Sequence, residues 1–199
     1  MAVQALPTGT VTFLFTDIEA STRLAERFPQ AFPVAQARHD ALLRQAIAGH
    51  GGHVFRPTGD GFCAVFATAP DAVAAAAAAQ QVLHDEPWSA AGLEAPLRVR
   101  MALHTGVADL RDGDYFGLGL NRVARLRDAA HGGQVLLSAT TEGLARDALP
   151  EGIGLRARAT LRETGYPAGR NHGSRCSRAP SQRAGRCCWA WSPRRYGAR

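Results

Sequence analysis

The chain contains no lysine: all 23 of its basic residues are arginine. That bias is odd for a folded surface and is what a very GC-rich coding sequence would produce. No apolar run reaches the roughly 18 residues that span a bilayer, which argues against a membrane partner. The alanine stretch around Ala72–Ala79 is interrupted by Asp71, Gln80 and Gln81 and reads as a soluble helix. The first residues, MAVQALPTGTV, lack a basic region followed by an apolar stretch, so no signal peptide is expected and the cytoplasm is the expected location. Cysteine is scarce, and of four only Cys63 precedes residue 156. One thiol without a partner excludes a disulfide framework for that body and suits a reducing compartment.

Acidic residues are nearly missing from the last quarter of the chain. Up to Leu155 there are 12 arginines against 16 acids; from Arg156 onward there are 11 arginines and a single acid, Glu163. The overall charge of +6 therefore belongs to the tail, while the body is mildly acidic. A charge argument for nucleic-acid binding by the folded part fails. With 199 residues, one domain with an appendage is expected. Its parts are an N-terminal lead over 1–8, a body over 9–155 and a tail over 156–199.

The tail is rich in Arg, Gly, Ser, Pro, Cys and Trp and has no periodic apolar pattern. It cannot bury enough apolar surface to offset chain entropy, so disorder is expected. GC-rich codons read out of frame yield this composition, and truncation near Pro167 is expected to leave behaviour unchanged. Cys176, Cys187 and Cys188 match no zinc spacing and have no second pair, so no metal is expected there.

The body alternates strand-like and helix-like segments. TVTFLFT at 10–16 reads as a strand. The spaced apolar residues from Ser21 to Ile47 read as two helices or one kinked helix, because Pro29 and Pro33 interrupt them. Strands follow at 53–56 and 62–66, around the turn Pro57-Thr58-Gly59-Asp60-Gly61. A helix over 69–83, a strand over 97–105, a helix over 118–130, a strand over 134–138 and a helix over 139–148 complete the order. The result is an α+β fold in which helices cover one sheet.

Three pieces carry chemistry. Asp17 ends the first strand in FTDIEAST, and Asp60 sits in FRPTGDGF. If those strands are neighbours, both carboxylates reach one rim of the sheet. Hard divalent ions take one or two carboxylates plus substrate phosphates, and a pair of ions can activate an attacking oxygen and steady a leaving group. Residues 19–22 then open a helix whose free amides can receive phosphate oxygens. Singly, Asp17 reads equally as a helix cap and Asp60 as a turn residue. The third piece is GDYFGLGLNRVARL at 113–126, where Asn121 and Arg125 stand i and i+4 on one helical face. Arg125 offers a fixed fork of donors to phosphate. With Arg122 and Arg127 nearby, the same face also reads as an ordinary solvated basic surface.

In this order and spacing the three pieces resemble the class III adenylate and guanylate cyclase catalytic domain, from about Gly9 to Leu155. The likeness is closest to the bacterial branch that begins with a GTVTFLFTDIE-like strand. A Gly-Asp turn, LRVRMALHTG and a D-x-x-G-x-x-x-N-x-x-x-R run follow. The resemblance implies a ferredoxin-like βαββαβ core with extra elements. It implies that Asp17 and Asp60, with the backbone carbonyl of Ile18, hold two Mg²⁺ or Mn²⁺ ions. Asn121 and Arg125 match the transition-state pair. Arg56 falls where adenylate cyclases usually carry a base-reading Lys, and Asp114 where they carry its partner. In that family these groups come from opposite subunits, so two sites form at a head-to-tail homodimer interface.

The expected activity is cyclisation of a nucleoside triphosphate, ATP before GTP, to a 3′,5′-cyclic monophosphate. The alternative is a weak or inactive cyclase-like dimerisation module. Arg replaces Lys at 56, Ala20 stands where Gly is common and is expected to crowd the phosphate loop, and the C-terminus departs most. LRETGYP at 161–167 resembles only faintly the family's final hairpin, making Arg162 the candidate for the triphosphate. Beyond it the closing strand is expected to be missing, which would leave an open sheet edge.

Overall fold

The computed structural model describes residues 6–158 and 187–190. Strand β1 (Gly9–Ile18) leads into helices α1 (Ser21–Arg27) and α2 (Ala31–Gly49). The break between the helices falls at Phe28, Pro29 and Gln30, while Pro33 is tolerated in the first turn of α2, where its missing N–H has no helical partner to lose. Strands β2 (His53–Pro57) and β3 (Phe62–Phe66) flank the Gly-Asp turn. Helix α3 (Ala69–Asp85) starts at Thr68, whose side chain accepts from the Asp71 N–H. Strand β4 (Val99–Arg111) runs well past the expected end and folds back as β5 (Asp114–Phe116). Helix α4 (Leu118–Asp128), strand β6 (Val135–Leu137) and helix α5 (Ala139–Ala145) complete the expected order.

The sheet order is β2-β3-β1-β4-β6-β8-β7, with β5 paired to β4. Strand β7 is Leu155–Arg158 and β8 is Cys187–Ala190. Here the structure corrects the sequence reading. The tail does supply a closing strand: β8 lies antiparallel to both β6 and β7, so the edge of β6 is paired. Backbone pairing needs no particular side-chain pattern, which is why composition failed to reveal it. Arg162 lies outside the described residues, as does the rest of the tail.

The central strands β1, β3, β4 and β6 are largely buried on both faces, in strict alternation. Leu14, Ile18, Ala64, Phe66, Met101, Leu103 and Val135 face α2, α3 and α5 in one cluster. Val11, Phe13, Phe15, Val65, Ala102 and Leu136 face the other way, against Tyr115 and the Val123–Leu126 side of α4. Phe13, Phe55 and Tyr115 meet edge to face there, with ring centroids 5.0 to 5.9 Å apart. Because side chains alternate with period two, Asp17 is committed to the α4 face as soon as Phe13 and Phe15 are. Among the described residues, no helix is long and apolar enough to cross a membrane.

His39 of α2 is a titratable group in the core: it is fully buried, stacks on Phe62 and shares a 2.8 Å hydrogen bond with Asp40, while among the described residues its Nε2 has no partner. Burial holds its pKa below the ordinary value, outweighing the opposing pull of Asp40 and Asp60. Below about pH 6.5 the unfolded chain takes up a proton that the buried ring resists, so stability falls as pH drops through that range. The unfolding temperature is expected to fall between pH 7.5 and 5.5, and to fall less in His39→Phe; an equal loss in both would contradict this. Truncation after Pro167 removes β8 and is now expected to lower the unfolding temperature, measurable by circular dichroism.

Candidate functional site

The end of β1 and the turn before β3 touch through their backbones. The Ile18 N–H donates to the Asp60 carbonyl at 3.1 Å, and the Phe62 N–H donates to Thr16 Oγ1 at 2.9 Å. The turn is closed by Thr58 N–H to the Gly61 carbonyl, 2.9 Å, with Gly59 at φ +78°. Gly61 is required by contact. A Cβ there would collide with the Thr16 carbonyl and come within 2.9 Å of the Asp17 Cα. From α2, Gln36 donates to the Gly59 carbonyl.

Asp17 and Asp60 thus share one rim, and their carboxylates have different partners. Asp17 faces Arg100, its register partner on β4. Arg100 donates from Nε to Oδ1 at 2.9 Å and from Nη2 to Oδ2, a bidentate charged pair. Arg127 of α4 brings its Nε to 3.8 Å from Oδ2. Only 9% of the Asp17 side chain is exposed. The hydrogen bond to Asp17 raises the Arg100 pKa, against a smaller desolvation cost. The Asp60 carboxylate accepts a 2.6 Å hydrogen bond from Ser21 Oγ, at the start of α1. Between them, Ala20 adopts φ 57°. Its departure from glycine is therefore expressed in the backbone: an L-residue in the left-handed region costs about 1 kcal/mol.

Arg56 of β2 and Asp114 of β5 pair with each other within one chain. The Arg56 guanidinium holds Asp114 below the usual carboxylate range, and the pair leaves one donor and one acceptor side by side. The Tyr115 N–H also donates to Asp114 at 2.8 Å. Asn121 and Arg125 are exposed along α4, on the side away from its buried Val123 and Leu126. Among the described residues, no hydrogen bond or ion pair joins either of them to Asp17 or Asp60. Arg127 is not part of a solvated basic face; it turns inward to Asp17.

The oxygen donors fit a divalent cation. Two carboxylates stand on touching backbones beside the end of β1, with both oxygens of Asp17 engaged by Arg100 in the absence of an ion. Among the described residues there is no group of three or more His, Cys, Asp or Glu, so an ion would depend on two carboxylates plus oxygens brought by a substrate. That is a ligand pattern of hard divalent cations. Cys63 takes no part: burial pushes its thiol up to about 11.

The model of the adenylate and guanylate cyclase catalytic domain matches residues 3–162. The chain belongs to that family. An uncharacterized protein of Mycobacterium tuberculosis is 46% identical over 146 residues, covering 72% of this chain and 48% of that protein. An adenylate cyclase of Lachancea kluyveri is 33% identical over 156 residues, covering 67% of this chain and 8% of the larger protein. The chain thus spans about half the length, or less, of these curated relatives. Among solved structures, a Trypanosoma brucei adenylate cyclase in its monomeric state superimposes with TM-score 0.75 at 24% identity, covering 98% of this chain and 94% of that one. That likeness bears on the fold alone, which is the cyclase catalytic-domain fold expected above.

Of the two arginines beside Asp17, Arg100 went unremarked in the sequence reading and Arg127 was read there as an ordinary solvated residue. The available signal was an arginine placed between Val99 and Met101 in an otherwise apolar strand. Gly61→Ala is expected to cost at least about 2 kcal/mol in urea unfolding, since the turn or β1 must move. A change below about 0.5 kcal/mol would contradict the close contact.

Proposed function

We propose that the chain is a purine nucleotide cyclase, converting ATP, and less readily GTP, to a 3′,5′-cyclic monophosphate and pyrophosphate. The observation that carries this reading is the joint rim of Asp17 and Asp60, combined with Asn121 and Arg125 facing outward from the same chain. A carboxylate pair without its transition-state groups is half a site. Supplying the other half from a second copy supports a homodimer with two head-to-tail sites. Val107, Phe116 and Leu118, exposed by 72%, 48% and 75%, flank Asp114 and the start of α4 and offer apolar surface for that contact.

Asp17, Asp60 and the Ile18 carbonyl would hold two Mg²⁺ or Mn²⁺ ions. When bound, such ions acidify the 3′-hydroxyl and neutralise the leaving group. The 3′-oxygen bonds to the α-phosphorus, the bond from that phosphorus to the bridging oxygen breaks, pyrophosphate departs and the hydroxyl proton passes to solvent. Arg125 donates to the non-bridging α-phosphate oxygens, where charge builds, and Asn121 orients the ribose. Asp114 accepts from the adenine amino group while Arg56 donates to adenine N1. The same arginine can donate to guanine O6, so the preference for ATP is modest. Arg162, outside the described residues, is assigned to the triphosphate.

The pairing of Arg56 with Asp114 also favours a second reading, in which the closed pair leaves a dimerisation module with little turnover. Incubation of the purified chain with Mn²⁺ or Mg²⁺ and ATP or GTP separates the two. Cyclic product is expected, and Asp17→Ala should abolish it. Mixing Asp17→Ala with Arg125→Ala should restore about a quarter of wild-type activity, because half of the dimers then hold one intact site of two. A folded, dimeric wild type that makes no cyclic nucleotide would decide for the module.

A further inference from the structure

Asp17 is paired with Arg100 and approached by Arg127, whereas among the described residues the Asp60 carboxylate is bonded by the neutral Ser21 hydroxyl alone. Arg100 uses both carboxylate oxygens of Asp17, Arg127 stands 3.8 Å from one of them, and the side chain is nine-tenths shielded from water. Screening is weak at such a position, so like charges there repel far more than they would in solvent. Asp128 hydrogen-bonds Arg127 at 2.7 Å, so Arg100 is the main guanidinium that a divalent ion approaching Asp17 meets. The ion must take an oxygen from the arginine fork, or share the carboxylate with it.

The geometry points to Arg100 as a positioning residue that fixes the Asp17 carboxylate through its bidentate fork while competing with the divalent ion for its oxygens. This rests on the reading of Asp17 as a metal ligand. Without Arg100, the buried Asp17 carboxylate would be left with only the 3.8 Å approach of Arg127, which is costly. With it, the carboxylate is stable but only conditionally available. Arg100 is not placed on the reacting atoms; it acts through Asp17. Arg127 backs it from α4, so the competition is strongest where α4 meets β1.

Mn²⁺ binding to the full chain without nucleotide, followed by electron paramagnetic resonance of the free ion, tests this apart from turnover. Arg100→Gln is expected to bind Mn²⁺ at least about fivefold more tightly than wild type, because a charge-assisted bidentate pair no longer competes. Its unfolding temperature should fall without Mn²⁺ and recover more on Mn²⁺ addition than that of wild type. Asp17→Asn is expected to weaken Mn²⁺ binding in both backgrounds. Binding that Asp17→Asn weakens but Arg100→Gln leaves unchanged or weaker would overturn the role of Arg100. Binding indifferent to Asp17→Asn would overturn the metal assignment itself. Should Arg100→Gln fail to fold, Arg100→Lys carries the test. It retains the charge, lacks the fork, and should bind Mn²⁺ about twofold more tightly; no gain there overturns the proposal.

Discussion

The contact between the Asp60-Gly61 turn and the last residues of β1 is the constraint on which the rest of the site depends. It is made by backbone atoms: an N–H of Ile18 on the Asp60 carbonyl, and a glycine pressed against the Thr16 carbonyl. Backbone contacts of this kind cannot be adjusted by choosing a rotamer. Once the β1–β3 register sets Phe15 opposite Cys63, the turn has one place to go. The two aspartates come to the same rim for that reason, and the Asp60 carbonyl is satisfied by the strand that carries its partner.

Helix α4 joins the two halves of the chemistry through its periodicity. Val123 and Leu126 bury one side against β1 and β4. Arg127, next along that flank, reaches inward to Asp17, while Asn121 and Arg125 are carried outward to solvent. A single amphipathic helix thus brings a guanidinium toward its own chain's carboxylate on one flank and carries Asn121 and Arg125 outward to solvent on the other, where the proposed second copy would meet them. Its start is tied to the sheet. His104 of β4 lies against Gly119 and shares a 2.9 Å hydrogen bond with Ser138, which caps α5. The half-buried Ser138 continues through the buried Thr141 and Thr105 to Thr12, a run of hydroxyls each within 3.0 Å of the next. Every member gains a partner that water would otherwise supply, so the junction of β1, β4 and α5 is held by direction as well as by packing.

Most of the element order was legible in the residues, because apolar alternation and the Pro and Gly breaks are local signals. Pro29 marked the gap between α1 and α2, and Pro57 to Gly61 marked the turn that carries Asp60. What escaped was of another kind. Strand β5 has three residues, too few to show a period, and exists because β4 continues far enough to pair with it. Strand β8 lies in a segment whose composition reads as unstructured, and it is defined by pairing with β6 and β7. Arg100 looked like one more arginine in an arginine-rich chain, since cross-strand register cannot be read from spacing.

From the sequence alone came the α+β class, the family, and the choice of Asp17, Asp60, Asn121 and Arg125 as candidate site residues. All of these are properties of local pattern or of motif. The tertiary structure alone decided which groups meet: Asp17 with Arg100 and Arg127, Asp60 with Ser21, Arg56 with Asp114, and Asn121 and Arg125 with none of the rim carboxylates. Those outcomes depend on strand register and on the side from which α4 docks. Both are settled by packing between residues dozens of positions apart, and no local rule contains them.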